Sequence, residues 1–193
     1  MIRPASWDDA GLLRAHIGGD PRAFADLYDR HDRQCFCFIR RSLGAAHSQA
    51  AEDLHQETWI SLSRNADTFD PRKGSFRAWL FTIARRKVLD YFRRQKVLIV
   101  GSGDEAAGRA APDQGPDPLE HLEARELAQR LIDAVEALPL AQRDVFILFA
   151  DAGLTLEEIS KVTGTGVETA KSRLRYARAS LRQTLARERS AYV

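Results

Sequence analysis

The chain has 193 residues, 44% of them hydrophobic and 29% charged, with a formal net charge of +2. That length suits one or two small domains, and the composition excludes a globally disordered or collagen-like chain. The longest apolar run, Val145 to Ala150, is far too short to span a bilayer, and two cysteines cannot build a disulfide scaffold.

The segment Met1–Asp9 lacks the apolar stretch of a signal peptide. A cytoplasmic protein without membrane insertion is expected. The net charge conceals a partition: residues 1–75 carry −1, 76–96 carry +6, 97–138 carry −6 and 139–193 carry +3. Basic blocks are the electrostatic footprint of nucleic-acid contact, because neutralised phosphates release counterions. One such block is equally an ordinary solvated helix face; two blocks, each holding a motif, favour nucleic acid.

In chain order, Ser6-x-x-Asp9 is placed to open a first helix that ends near Gly18-Gly19. Asp20-Pro21 is an N-cap followed by proline at the first helical position, and Phe24, Leu27, Tyr28 and His31 then recur at helical spacing. A third helix is predicted from about Ser48 to Asn65, with Ala51, Leu54, Thr58 and Leu62 on one stripe. A fourth is predicted over Phe76–Lys96, with Phe76, Trp79, Leu80, Ile83, Ala84, Val88 and Tyr91 facing inward; Asp70 to Gly74 forms the turn before it.

Residues 97–118 hold 4 of the 12 glycines and 3 of the 7 prolines. A regular helix cannot persist through that composition, so the stretch reads as a flexible acidic linker. Helices are predicted at Leu119–Leu138, stopped by Pro139, and at Gln142–Ala152, stopped by Gly153. Strand signals are absent. The fold class is all-α: two small helical domains, 1–96 and 119–193, joined by the linker.

Residues 155–178 have helix-turn-helix spacing. Thr155-Leu156-Glu157-Glu158 is a capping box, Leu156, Ile159 and Val162 seat a short helix, and Gly164 supplies the turn. Thr165-Gly166-Val167-Glu168 reads as a second capping box. It opens a helix with Val167, Ala170, Leu174 and Ala177 for packing and Lys171, Arg173, Arg175 and Arg178 for a partner. From Val167 to Arg189 there are 7 basic and 2 acidic residues, which suits a helix lying in the DNA major groove.

The stretch from Leu138 to Ser160, with Glu168-Thr-Ala-Lys-Ser-Arg-Leu-Arg-Tyr-Ala-Arg178, resembles region 4 of RNA polymerase sigma factors of the extracytoplasmic-function (ECF) class. Ala51-Glu-Asp-Leu-His-Gln-Glu-Thr-Trp59 resembles their region 2.2, and Phe76 to Arg94 their regions 2.3 and 2.4. The likeness covers about residues 10–96 and 119–187 in the family's order. It implies an alternative sigma factor that binds core RNA polymerase, directs it to promoter DNA and helps melt the −10 element. An anti-sigma factor that clamps the two domains is a further implied partner. No catalytic residue, metal site or cofactor is expected.

Asp53, Gln56 and Glu57 lie at i, i+3 and i+4 and share one face opposite the apolar stripe, which the resemblance assigns to core polymerase. Trp79 and Tyr91 can support an unpaired base, although core packing is an equal reading for Trp79. Arg85, Arg86, Lys87, Arg93 and Arg94 can hold phosphates, and for these a core role is not expected. The resemblance adds a flipped −10 base held by the loop Asp70–Ser75. For the −35 element it points to Glu168, Thr169, Lys171, Ser172, Arg173, Arg175, Tyr176 and Arg178. Arg86, Ala170 and Tyr176 depart from the family's usual asparagine, valine and arginine, and two of them fall near expected DNA contacts.

Cys35-x-Cys37 has His31, His47 and His55 nearby in sequence. Side chains two apart on a helix diverge by about 200° and chelate poorly, so packing is the favoured reading of both cysteines, with a redox or metal sensor as the alternative; His55 reads as a partly buried packing residue. A duplex-binding helix-turn-helix dimer and a helical adaptor are the rival functions. The first needs no aromatic and basic N-terminal helix, and the second no basic C-terminal one.

Overall fold

The computed structural model describes residues 7–99 and 120–191, with side chains over 7–95 and 128–186. Among the described residues it contains eight α-helices, two short 3-10 turns and no strand. The helices are α1 (Asp9–Ile17), α2 (Pro21–Leu43), α3 (Ala50–Arg64), α4 (Phe76–Ile99), α5 (Glu120–Glu136), α6 (Leu140–Ala150), α7 (Leu156–Thr163) and α8 (Val167–Ala191).

Caps explain most boundaries. The carboxylate of Asp8, not Ser6, caps α1 by accepting from the Gly11 amide, because Asp8 is the residue that stands one place before the helix; Ser6 lies outside the described residues. Asp20 accepts from the Arg22 amide and Pro21 starts α2, as the sequence predicts. Pro139 itself is the N-cap of α6, so that helix begins two residues before the predicted Gln142. Helix α4 continues past Lys96 to Ile99, since Val97, Leu98 and Ile99 contain no breaker and the first glycine comes at 101. The rest of the expected linker, 100–118, lies outside the described residues.

Helices α1–α4 enclose one set of core side chains. Leu12 and Leu13, Leu27, Phe38 and Ile39, Leu62, and Leu80 and Phe81 are all fully buried. Each such side chain contributes about 1.5–3 kcal/mol through removal from water. The rings of Phe38 and Phe81 meet edge to face, 5.3 Å apart, and lock α2 to α4. His31 Nε2 sits 2.8 Å from Asp9 Oδ2 and ties α2 to the start of α1; that hydrogen bond is the main reason the Asp9 carboxyl titrates below its usual range.

The predicted inward stripe of α4 holds for Phe76, Leu80, Ala84 and Val88. Trp79, Ile83 and Tyr91 are only half-buried, and Phe81 takes a core place that periodicity alone does not assign. Helices α5–α8 form a second unit around Val145, Ile147, Leu148, Leu154, Ile159, Ala170, Leu174 and Ala177. The two units touch: α4 packs on α7 and α2 on α6.

Candidate polymerase and nucleic-acid interfaces

On α3 the apolar stripe Ala51, Leu54, Thr58 and Leu62 is buried, which turns the opposite side outward. Asp53, Gln56 and Glu57 are all exposed there, and Ile60, half exposed, extends the same face by one turn. Glu57 Oε2 is 3.1 Å from Lys87 Nζ on α4, so this acidic face borders the basic one.

Behind that face is an arrangement that sequence reasoning missed. His55 Nε2 is 3.0 Å from both Trp59 Nε1 and Asp32 Oδ1. A single ring nitrogen cannot accept from the indole and donate to the carboxylate at once. In neutral His55 it accepts from Trp59, and Asp32 Oδ1 is left without a donor. Burial lowers the His55 pKa and favours this neutral form, against the pull of Asp32. Asp32 also accepts from Tyr28 and thereby pushes the phenol up to about 12. His55 is thus a packing residue, as expected, but one more fully buried than expected and with two competing polar partners.

Helix α4 starts after a loop shaped by Asp70, whose Oδ1 accepts from the Arg72 amide at 3.0 Å and from Arg72 Nε at 3.1 Å. Trp79 leans on Phe69, with ring centroids 5.3 Å apart, and lines a pocket of about 170 Å³ with Phe69, Asp70, Lys73, Ser75 and Lys161. Trp79 therefore packs on one side, as one of its two sequence readings has it, and faces a cavity on another. Tyr91 is half-buried, its hydroxyl 3.1 Å from His47 Nδ1.

The basic residues of α4 are not equivalent. Arg86, Arg93 and Arg94 are exposed, and Arg93 pairs with Asp90 at 2.9 Å. Arg85 corrects the expectation that none has a structural role: its Nε is 2.7 Å from Asp144 Oδ2 on α6, and its side chain is only 22% exposed. Burial raises the Asp144 carboxyl above its usual range, and Arg85 partly offsets that.

In the second unit the first capping box is present. Thr155 Oγ1 accepts from the Glu158 amide and Glu158 accepts from the Thr155 amide. Gly164 closes α7 in the left-handed conformation, φ 67°, where a Cβ would be strained. The second capping box does not form. Helix α8 starts at Val167, which makes Gly166 the flanking residue and puts Thr165 one place too early; the Thr165 hydroxyl pairs with that of Thr163 at 2.9 Å instead.

Ala170, Leu174 and Ala177 seat α8, so its other side points outward. Glu168, Thr169, Lys171, Arg175, Tyr176 and Arg178 are exposed, while Ser172 and Arg173 are half-buried. The Arg178 guanidinium lies 4.6 Å from the centre of the Phe149 ring, which holds it on the same rim. Among the described residues no cluster of ligating side chains is suited to a metal ion. Cys35 is buried and its thiol pKa is raised by that burial, while Cys37 is half-buried.

Comparison with known proteins decides the family. The model of Sigma-70 region 2 matches residues 27–97 and that of Sigma-70 region 4 matches 128–181. The chain is 34% identical over 182 residues to the ECF RNA polymerase sigma factor SigK of Mycobacterium tuberculosis, covering 93% of this chain and 95% of the relative. It belongs to the ECF sigma factors.

This sigma factor is also 34% identical over 179 residues to the RNA polymerase sigma factor CnrH of Cupriavidus metallidurans, covering 90% of this chain and 92% of CnrH. Among solved structures it is similar to CnrH in complex with the cytosolic domain of CnrY, with TM-score 0.68 and 28% identity over 92% of this chain and 97% of that one. It is similar as well to the sigma factor RpoE in complex with the anti-sigma factor NepR from Bartonella quintana, with TM-score 0.68 and 25% identity over 83% of this chain and 97% of that one. The two helical units of this sigma factor are therefore sigma regions 2 and 4. Its function is that of an alternative sigma factor, which binds core RNA polymerase and starts transcription at specific promoters. Among the described residues no helix is long and apolar enough to cross a membrane.

Proposed function

We propose that each task of the sigma factor maps to a separate surface: core binding to Asp53, Gln56 and Glu57, −10 capture to α4 and its preceding loop, and −35 recognition to α8. The domains that carry these surfaces are 1–96 and 119–193, with 97–118 between them, into whose first three residues α4 continues. The observation that carries the reading is the outward side of α8, where Lys171, Arg175, Tyr176 and Arg178 are all exposed while the opposite side is seated by Ala170, Leu174 and Ala177. A helix held in this way can enter a major groove without losing its own packing.

On α4, Trp79 beside an open pocket supports a stacked, unpaired base, and Arg86, Lys87, Arg93 and Arg94 support phosphate contacts along the strand. Melting needs no covalent chemistry by this chain. Stacking and phosphate contacts exist only with the open strand, so binding free energy shifts the duplex toward it. The chain works in the cytoplasm as a non-enzymatic initiation factor. Its likeness to CnrH bound to CnrY and to RpoE bound to NepR supports an anti-sigma factor as a regulatory partner.

Run-off transcription with core polymerase tests the whole assignment. Transcripts from a cognate promoter are expected only when the chain is added. A chain that fails to associate with core, or that associates and leaves the promoter closed, overturns it.

A further inference from the structure

Where the two units meet, their helices line a cavity of about 390 Å³, near the lower end of the size range of small-molecule sites. Phe38 of α2 and Val88, Leu89 and Phe92 of α4 line it from one unit, and Leu140 and Ile147 of α6 from the other. These side chains make apolar walls. Set among them are three guanidinium groups, of Arg85, Arg143 and Arg173, against a single carboxylate, that of Asp144. Asp144 accepts from Arg85 Nε at 2.7 Å, and Arg173 lies near enough to act on the same carboxyl. One carboxylate cannot balance three cations, so the lining is positive.

Two buried donors in this lining have no hydrogen-bond partner among the described residues. One is the Ser42 hydroxyl, on a residue only 8% exposed. The other hydroxyls of the wall are satisfied, since those of Thr163 and Thr165 pair at 2.9 Å. The second donor is Arg143 Nε. Arg143 Nη2 donates to the Glu136 carbonyl, which fixes the side chain and leaves Nε over. The Glu136 carboxylate also attracts Arg143, but it is outside the lining and accepts from the Ala45 amide at 2.9 Å. Buried donors without an acceptor are costly and rare in native folds, and a ligand that accepts from them recovers the cost.

We propose that this cavity binds a small amphipathic organic anion, a carboxylate on an aliphatic or aryl body. Arg143, Arg173 and the Ser42 hydroxyl take the head, and the body lies against Phe38, Val88 and Phe92. A guanidinium matches a planar carboxylate in geometry as well as charge, and the pairing is strong where water is excluded. Inorganic phosphate would leave the apolar walls unused. A neutral or cationic amphiphile would leave the cations without a counter-charge. Arg173 thus has a second task beside the promoter surface, which accounts for its being half-buried while Lys171 is exposed. None of the three surfaces assigned above is needed for this site.

Equilibrium dialysis of the full chain against radiolabelled octanoate tests the site. Saturable binding is expected, with octylamine and inorganic phosphate competing at least about tenfold less well than unlabelled octanoate. S42A removes the unpartnered hydroxyl and is expected to weaken octanoate by about threefold to fivefold, without lowering the melting temperature of the ligand-free chain. R173Q is expected to weaken it by about tenfold. A141W brings a large side chain into the lining from an exposed position and is expected to abolish binding at unchanged helix content. No saturable binding below about 1 mM octanoate overturns the site. Equal competition by octylamine or by phosphate overturns the ligand class, since the first needs only an apolar surface and the second only a cationic one. Octanoate binding that S42A, R173Q and A141W all leave unchanged takes place elsewhere on the chain and overturns the assignment to this cavity.

Discussion

Glu57 and Lys87 form an ion pair 3.1 Å long between α3 and α4, with the glutamate side chain 49% and the lysine 30% exposed. The pair joins the proposed polymerase face to the proposed DNA face, so neutralising one partner acts on both. Glu57→Gln is expected to weaken core binding by about tenfold, the range of one charge-assisted hydrogen bond. Fluorescence anisotropy of labelled sigma factor against core measures it. Unchanged affinity removes Glu57 from the polymerase face.

Lys171 and Arg173 differ in burial, although both belong to the same predicted recognition surface. Replacing each by alanine is expected to weaken binding of the holoenzyme to promoter DNA and to flatten its salt dependence, by about one unit of log–log slope for each lost phosphate contact. A shallower slope for K171A than for R173A is expected, because Lys171 is exposed and Arg173 half-buried. Filter binding over a salt series reads both slopes; slopes equal to that of the unaltered chain count against the docking mode.

Trp79 has one side on Phe69 and another on the pocket. Trp79→Ala is expected to slow promoter opening, with the loss of about 1–3 kcal/mol of stacking for one base. Trp79→Phe keeps a ring and is expected to recover most of it. A 2-aminopurine placed in the −10 element reports opening directly. Normal opening by W79A leaves the tryptophan with its packing role alone.

His55 gives a pH prediction. Its folded pKa lies below its ordinary value, chiefly through burial, so the unfolded chain binds the proton more readily. Stability is then full above the unfolded pKa of about 6.5 and falls as pH drops from there toward the lowered folded value. His55→Gln offers an acceptor to Trp59 and a donor to Asp32 and does not titrate. Thermal melts are expected to show a smaller drop between pH 7 and pH 5.5 for H55Q than for the unaltered chain. Parallel curves for the two chains would place the acid sensitivity elsewhere.

Periodicity and caps are local properties, and they made much of this protein legible. Proline after Asp20, the capping box at Thr155 and the glycine at 164 each act within a few residues of chain, so their outcome does not depend on the rest of the fold. The same holds for the outward faces of α3 and α8, since a seated stripe at helical spacing leaves only one side free. The second capping box failed for a local reason too: a one-residue shift in the start of α8 put Thr165 outside the helix.

What the amino-acid order by itself determined, then, is which segments are helical, which side of each is apolar and where the positive charge collects. Only the tertiary structure decided that Arg85 faces Asp144, 59 positions away in the chain, that Arg77 lies over Gly153, and that Asp32 of α2 comes to His55 of α3. No pattern along the chain encodes such pairs, because an ion pair between distant segments has no period and its partner is chosen by how the helices pack. Charge counted by segment sees a basic helix; the fold shows which of its arginines are already taken.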